Sequence, residues 1–215
     1  MSRPFTTGVV VHATTTAVVV VYSDGVARNP ERRVQLADAA LRVLARQGSR
    51  GLTHRAVDTE AEVPRGTASN YFSSRDDIID AILARIGERL APDPAAHAEL
   101  ARRPPGRELF ATYLKDIVHR LTADRDATLA LFELRLDAAR RPSVAEVLGG
   151  WLRGGLDADV AFTEDAGLPG SRWEIVLFHY ALDGLILDQL TVPIDAEVAA
   201  DEAVEVLVER LLGKR

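Results

Sequence analysis

Residues 51–72 read GLTHRAVDTEAEVPRGTASNYF, and the fold turns on how that stretch is punctuated. Thr53 carries a hydroxyl suited to a helix N-terminus, where it accepts a hydrogen bond from a free N–H of the first turn. A short helix over about 53–60 follows. Residues 61–63 break it, and Pro64 suits the first turn of a further helix because its missing N–H is not needed there. The pattern carries that helix to about Phe72. Two short helices joined by a three-residue turn form a helix-turn-helix, whose second helix lies in the DNA major groove when the motif serves recognition. Such a unit needs an apolar inner face, which Leu52, Ala56, Val57, Val63 and Phe72 supply. It also needs an outer face of short polar and basic residues, and Arg65, Thr67, Ser69 and Asn70 fit. Gly66 removes a side chain where the helix start approaches a backbone closely. Tyr71 offers a hydroxyl to a phosphate, and Arg75 opens the next helix with a cation. Arginine reads guanine edges or phosphates, and asparagine can read adenine. Thr53, Arg65, Gly66, Thr67, Ser69, Asn70, Tyr71 and Arg75 are therefore the candidate DNA contacts. The competing interpretation is a helical protein–protein interaction module whose basic segment meets an acidic partner.

Outward from this motif the pattern is helical. Upstream, Leu36, Ala37, Ala40, Leu41 and Leu44 recur at the helical period from Glu31 onward. Gly48 stands where a left-handed cap would end that helix. Downstream, Ser73 or Ser74 caps a fourth helix with Ile78, Ile79, Ile82, Leu83 and Ile86 along one side. The stretch APDPAAHAELARRPPG at 91–106 reads as a hinge or domain junction. Helical segments follow at about 106–122, 125–140, 143–163, 171–191 and 196–212. No strand-like alternation of any length occurs after residue 30, so the fold class is all-α. The expected division is a helix-turn-helix domain with its connecting helix at 31–90 and a second helical domain at 104–215. Residues 1–30 differ in composition, with runs of Val and Thr. They read either as a poorly ordered arm or as a segment upstream of a natural start near Val26.

The 215 residues contain no cysteine, which rules out disulfides, thiolate metal sites and cysteine nucleophiles. The net charge of −6 is unevenly spread. Residues 28–76 carry nine arginines against six acids, whereas 77–215 carry sixteen basic and twenty-five acidic side chains. A basic segment on an acidic body can hold a phosphate backbone locally while the remainder repels it. The five histidines lack metal-ligand spacing, no Gly-rich phosphate loop is present and no serine sits in a nucleophile elbow. These absences argue against an enzyme, a cofactor or a metal. The apolar run near the N-terminus is too short to span a bilayer, which takes about 20 residues.

At the central motif the chain resembles the tetracycline-repressor (TetR) family of regulators. The shared pattern is Gly48, Thr53, Pro64-Arg65-Gly66-Thr67, Tyr71-Phe72 and Arg75 at matching spacing within residues 32–90. Two positions depart from it. Glu62 occupies the turn where the family commonly has glycine, and Ser69 stands where an aromatic is common. The resemblance implies a cytoplasmic, dimeric transcriptional repressor. Its last two long helices would form a four-helix bundle between protomers, and the helices before them would enclose an effector pocket.

The residues of the C-terminal half agree with that outline. Trp173–Leu190 is apolar almost all round, and Val198, Val204, Leu207, Val208, Leu211 and Leu212 give the last helix a broad apolar face. A homodimer through Trp173–Leu190 and Val198–Leu212 would set two recognition helices about 34 Å apart on an inverted-repeat, double-stranded DNA operator. Phe110, Tyr113, Phe132, Trp151 and Phe162, with His119 and Arg135 as polar contacts, are the candidate lining for a small, largely apolar effector.

Overall fold

The structure is a computed structural model, and it describes residues 29–213. The segment expected to be an arm or an upstream extension lies outside them up to residue 28. Ten helices make up the described chain: α1 (Pro30–Gly51), α2 (His54–Glu60), α3 (Thr67–Tyr71), α4 (Arg75–Arg89), α5 (Pro94–Leu100), α6 (Arg107–Ala123), α7 (Arg125–Ala138), α8 (Pro142–Asp165), α9 (Arg172–Leu190) and α10 (Ala200–Leu211).

Local chemistry explains the first boundaries. The Asn29 side chain accepts the Arg32 N–H at 3.0 Å, and Pro30 sits at the first helical position. Leu36, Ala37, Ala40, Leu41 and Leu44 are all buried, as their period predicts. Gly48 leaves the helical conformation at φ 68, a region open to glycine at little cost. Thr53 caps α2 through its hydroxyl, which accepts the Ala56 N–H at 3.1 Å. Ser74 and Asp77 form a reciprocal capping box on α4.

Three elements differ from the pattern-based expectation. The recognition helix starts at Thr67, because Gly66 is left-handed at φ 88 and closes a turn that Pro64 opens. The Pro-rich stretch is not merely a hinge. Asp93 and Pro94 start α5, which buries His97 against Tyr113 with ring centroids 5.1 Å apart. Helix α10 begins at Ala200, so Val198 lies in the preceding loop and is exposed.

The core has two lobes. One gathers α1 to α4, and it also takes Ala127, Ala130, Leu131 and Leu134 of α7 and Val144 and Leu148 of α8. The other joins α6, α9 and α10 around Phe110, Phe178, Leu182, Ile186 and Val204. Helix α7 therefore supplies one face to the N-terminal lobe, and Leu131 and Arg135 also border the cavity described below.

Candidate nucleic-acid interface and effector cavity

The five-residue α3 has no side-chain cap of its own, since Gly66 occupies the N-cap position. Asp58 of α2 takes over that role. Its buried carboxylate accepts the N–H of Gly66 at 2.7 Å and of Ala68 at 2.6 Å. At the other end, His54 Nε2 lies 2.8 Å from the Phe72 carbonyl oxygen. Arg33 donates to the Tyr71 carbonyl at 3.0 Å and stacks its guanidinium 4.9 Å from the centre of the Phe72 ring. Ala68 and Phe72 are fully buried. The short helix is thus clamped at both ends and rooted through one side. Neither Asp58 nor Arg33 follows from the helical period, although an acid four residues into a short helix before a Gly-containing turn is a usable cue.

This anchoring leaves Ser69 and Asn70 exposed on α3, with Arg65 and Gly66 exposed in the turn that leads into it. Thr67 and Tyr71 are half-buried. The Thr67 hydroxyl donates to the Pro64 carbonyl at 2.6 Å and the Ser69 hydroxyl to the Gly66 carbonyl at 2.9 Å. Each hydroxyl oxygen retains acceptor capacity. Thr53 is exposed at the start of α2. Glu62 has φ 55, the only positive φ at a non-glycine among the described residues, so the turn is left-handed where the sequence lacks glycine.

Arg75 is placed differently from the expected DNA contact. Its guanidinium turns inward and donates to the Leu52 carbonyl at 2.5 Å, the Ser49 carbonyl at 2.6 Å and the Ser49 hydroxyl at 2.8 Å. Asp137 of α7 lies 3.8 Å away. Burial, with the neighbouring Arg141, pulls its pKa below the ordinary value against the opposing pull of Asp137. It remains protonated, and through its two terminal nitrogens it ties the end of α1 to the start of α4. Arg50 and Arg55 flank Thr53, are exposed and make no ion pair within the described chain. They are cations that motif spacing did not single out.

A cavity of about 360 Å³ lies among α4, α6, α7, α8 and α9. Phe110, Tyr113, Trp151 and Phe162 line it, as does Arg135. Phe132 does not; it packs against the second core lobe instead. His119 also lies elsewhere, exposed and 2.8 Å from Asp201. Tyr113 packs edge-on to Phe162 and Phe110 to Phe178, each at 5.1 Å. Burial raises the Tyr113 phenol above its ordinary pKa, against a smaller opposing pull from Arg103, so it stays neutral. Two polar pairs interrupt the apolar wall, the Arg135–Asp183 ion pair at 2.5 Å and His179 Nε2 at 3.0 Å from an Asp159 carboxylate oxygen. The end of α4 closes one side through Gly87 and Leu90, and Arg120 of α6 donates to the Leu90 carbonyl.

Comparison with known proteins agrees with both halves. Residues 36–82 match the family described as "Bacterial regulatory proteins, tetR family", and residues 105–214 match "Tetracyclin repressor-like, C-terminal domain". The HTH-type transcriptional regulator BetI of Burkholderia thailandensis is 32% identical over 80 residues, 37% of this chain and 41% of that protein. BetI of Rhizobium meliloti is 33% identical over 82 residues, 38% and 40% of the two chains. The match thus spans about two fifths of the length of these curated relatives. Among solved structures, the multidrug binding protein EbrR complexed with ethidium is 30% identical, with a TM-score of 0.63 over 85% of this chain and 99% of that one. A TetR-family member from Streptomyces coelicolor A3 is 29% identical, with a TM-score of 0.58 over 86% and 100%. With a DNA-binding helix-turn-helix at one end and the family's C-terminal domain over half its length, this chain belongs to the TetR family of transcriptional regulators.

Proposed function

We propose that this regulator is a ligand-released repressor that binds an inverted-repeat operator as a homodimer. The observation that carries this role is the exposed patch made by Ser69 and Asn70 of α3 and by Arg65 in the turn before it, on a helix that Asp58 and Arg33 hold from behind. Thr53, Gly66, Thr67 and Tyr71 border that patch, with Arg55 beside Thr53. Phosphate contacts from these residues set the position of the head, and Arg65 and Asn70 reach base edges. In this scheme residues 31–90 form the DNA-binding head and 104–215 the sensing and dimerising body. The N-terminal arm, outside the described residues, keeps its place only as an expectation.

Dimerisation through Trp173–Leu190 and Val198–Leu212 is supported by Trp173, Tyr180 and Leu187. They are exposed apolar side chains at seven-residue intervals, hence on one face of α9, with Val206 exposed on α10. The cavity supports a small, largely apolar effector, since its size falls within the range of ligand pockets. A ligand releases DNA only if it binds one arrangement of the heads better than the other. The Leu90 carbonyl held by Arg120 and the shared face of α7 join the cavity walls to the head. No described helix is long and apolar enough to cross a membrane. Meeting an operator places the protein in the cytoplasm.

Selection from random duplexes tests the role. The expected result is an inverted repeat whose binding weakens log-linearly with salt, with a slope of about −0.9 per phosphate neutralised. Retention of no duplex above background would favour the interaction-module interpretation instead.

A further inference from the structure

Charge is unevenly matched around the cavity. Three guanidinium groups line it, those of Arg120, Arg135 and Arg153, against two carboxylates, Asp159 and Asp183. Both carboxylates already face a protein partner. Asp183 pairs with Arg135 at 2.5 Å, and Asp159 has His179 Nε2 at 3.0 Å. A proton on His179 would only widen the imbalance. Arg120 of α6 shows where the surplus is least satisfied, since its side chain is 16% exposed. Its Nε donates to Asp116 at 2.7 Å and one terminal nitrogen donates to the Leu90 carbonyl. The other terminal nitrogen, Nη2, is buried and has no acceptor among the described residues. His97 Nε2 stands 3.2 Å from the same Asp116 oxygen, which keeps that carboxylate from turning to serve Nη2. A buried donor of a charged group that lacks an acceptor leaves its desolvation uncompensated. Arg120 borders the cavity, so a ligand can supply the acceptor that the protein does not.

Building on the sensor role above, we propose that the effector is an apolar monocarboxylate whose head group accepts from Arg120 Nη2. Its hydrocarbon lies along the α6 wall, where Ile117, Tyr113 and Phe110 follow Arg120 at steps of three and four residues and so share its face. A carboxylate only accepts hydrogen bonds, and its charge strengthens the one it takes from a guanidinium. A single negative charge matches the one surplus cation, whereas a doubly charged head would leave a charge unpaired against apolar walls. The same guanidinium holds the end of α4. Leu90 is the C-cap of that helix, whose last carbonyls form the negative end of its dipole. An anion on Arg120 therefore repels the end of α4 and competes with the Leu90 carbonyl for the guanidinium. It binds better when α4 has moved away, which is the differential affinity that release of DNA demands.

The probes 2-naphthoate and 2-naphthamide share a shape and differ in charge, so calorimetric titration of the full chain with each isolates the head group. Naphthoate binds about tenfold more tightly, the ratio that about 1.4 kcal/mol of binding free energy produces. Arg120→Gln removes that advantage and leaves the affinity for the amide as it was, which also shows that the cavity is intact. Equal affinities in the wild-type chain overturn the proposal without any variant. An advantage that survives Arg120→Gln and disappears in Arg153→Gln moves the head group to α8 and overturns the assignment to Arg120. Operator release is read in the same samples. If both probes release DNA equally, sensing stands and the charge preference falls; if naphthoate binds as expected and the operator stays bound, the carboxylate site stands and release by this ligand falls.

Discussion

Asp58 is the N-cap that Gly66 cannot be. Its carboxylate, 3% exposed on α2, accepts the N–H groups of Gly66 and Ala68 at the start of the recognition helix. A helix of five residues has little cooperative stability of its own. Its position therefore depends on groups outside it, and Asp58 couples the two helices of the motif more directly than their apolar contacts do.

Replacing Asp58 should accordingly harm both stability and DNA binding. Asp58→Ala leaves the buried Ala68 N–H without an acceptor, a loss of about 2–3 kcal/mol. Asp58→Asn keeps the shape but turns an amide donor toward one of the two N–H groups. Urea unfolding should show both losses, with operator affinity reduced further than the folded fraction alone explains. Unchanged affinity in a folded Asp58→Ala protein would mean that α3 holds its place without the cap.

Much of this architecture was legible in the residues. The period of Leu36 to Leu44, the Thr53 cap and the Ser74 capping site give α1, α2 and α4 because each rests on local chemistry. Phe110, Tyr113, Trp151 and Phe162 fall in one cavity because aromatic residues of middle helices have few other places to be buried. What escaped depended on distant partners. Arg75 looks like a surface cation until Ser49 and Leu52 are seen around it. Asp58 looks like an ordinary helix acid, and His119 and Phe132 project from faces that spacing alone does not orient. Pro64 signalled a helix start, yet the left-handed Gly66 delayed it by a full turn.

Two turn positions should respond with opposite signs. Glu62 holds φ 55 without being glycine, so Glu62→Gly relieves strain of about 1 kcal/mol, partly offset by the freer unfolded chain. Gly66 holds φ 88, and an added Cβ would meet nothing nearer than the Ser69 hydroxyl at 4.0 Å. Gly66→Ala therefore costs backbone strain alone, about 1–2 kcal/mol. A rise in the urea midpoint for the first and a fall for the second are expected. A fall for both would mean that Glu62 contributes contacts that outweigh its conformation.

Arginines near the motif divide by salt dependence. Arg65→Ala and Arg55→Ala should each lower the slope of log affinity against log salt by about 0.9 for every phosphate no longer neutralised, counted twice in a dimer. Arg75→Ala should leave that slope unchanged while reducing stability, because its guanidinium serves the carbonyls of Ser49 and Leu52. A reduced slope in a fully folded Arg75→Ala protein would restore it to the DNA-facing set.

The cap of α4 carries a pH signature. The Ser73 hydroxyl, joined by the Ser73 N–H and by the hydroxyl and N–H of Ser74, holds Asp77 below its ordinary value of 3.8 against the opposing effect of burial. A carboxylate whose folded pKa is depressed stabilises the fold above the unfolded value, and loses that contribution as pH falls through the folded one. Asp77→Asn should therefore be less stable than wild type near neutrality, by about 1 kcal/mol as for other lost caps. The gap should close below the ordinary carboxylate range. A gap that is constant from neutral to strongly acidic pH would show that the cap works through shape and not through charge.

Dimerisation can be read from tryptophan, since the chain contains only Trp151 and Trp173. Trp173 is 72% exposed in the single chain and stands on the face of α9 that also presents Tyr180 and Leu187. In the proposed dimer that face meets its own copy across a two-fold axis, so Trp173 leaves water. With Trp151→Phe as background, acrylamide should quench the remaining fluorescence weakly at high protein concentration and strongly on dilution. Tyr180→Glu should place like charges close to one another across the axis, dissociate the dimer in sedimentation and expose Trp173 at every concentration. The resulting monomer has one head, so its affinity for a full operator should fall toward that for a half-site. A Tyr180→Glu protein that still sediments as a dimer, with Trp173 open to quencher, would move the interface to another face.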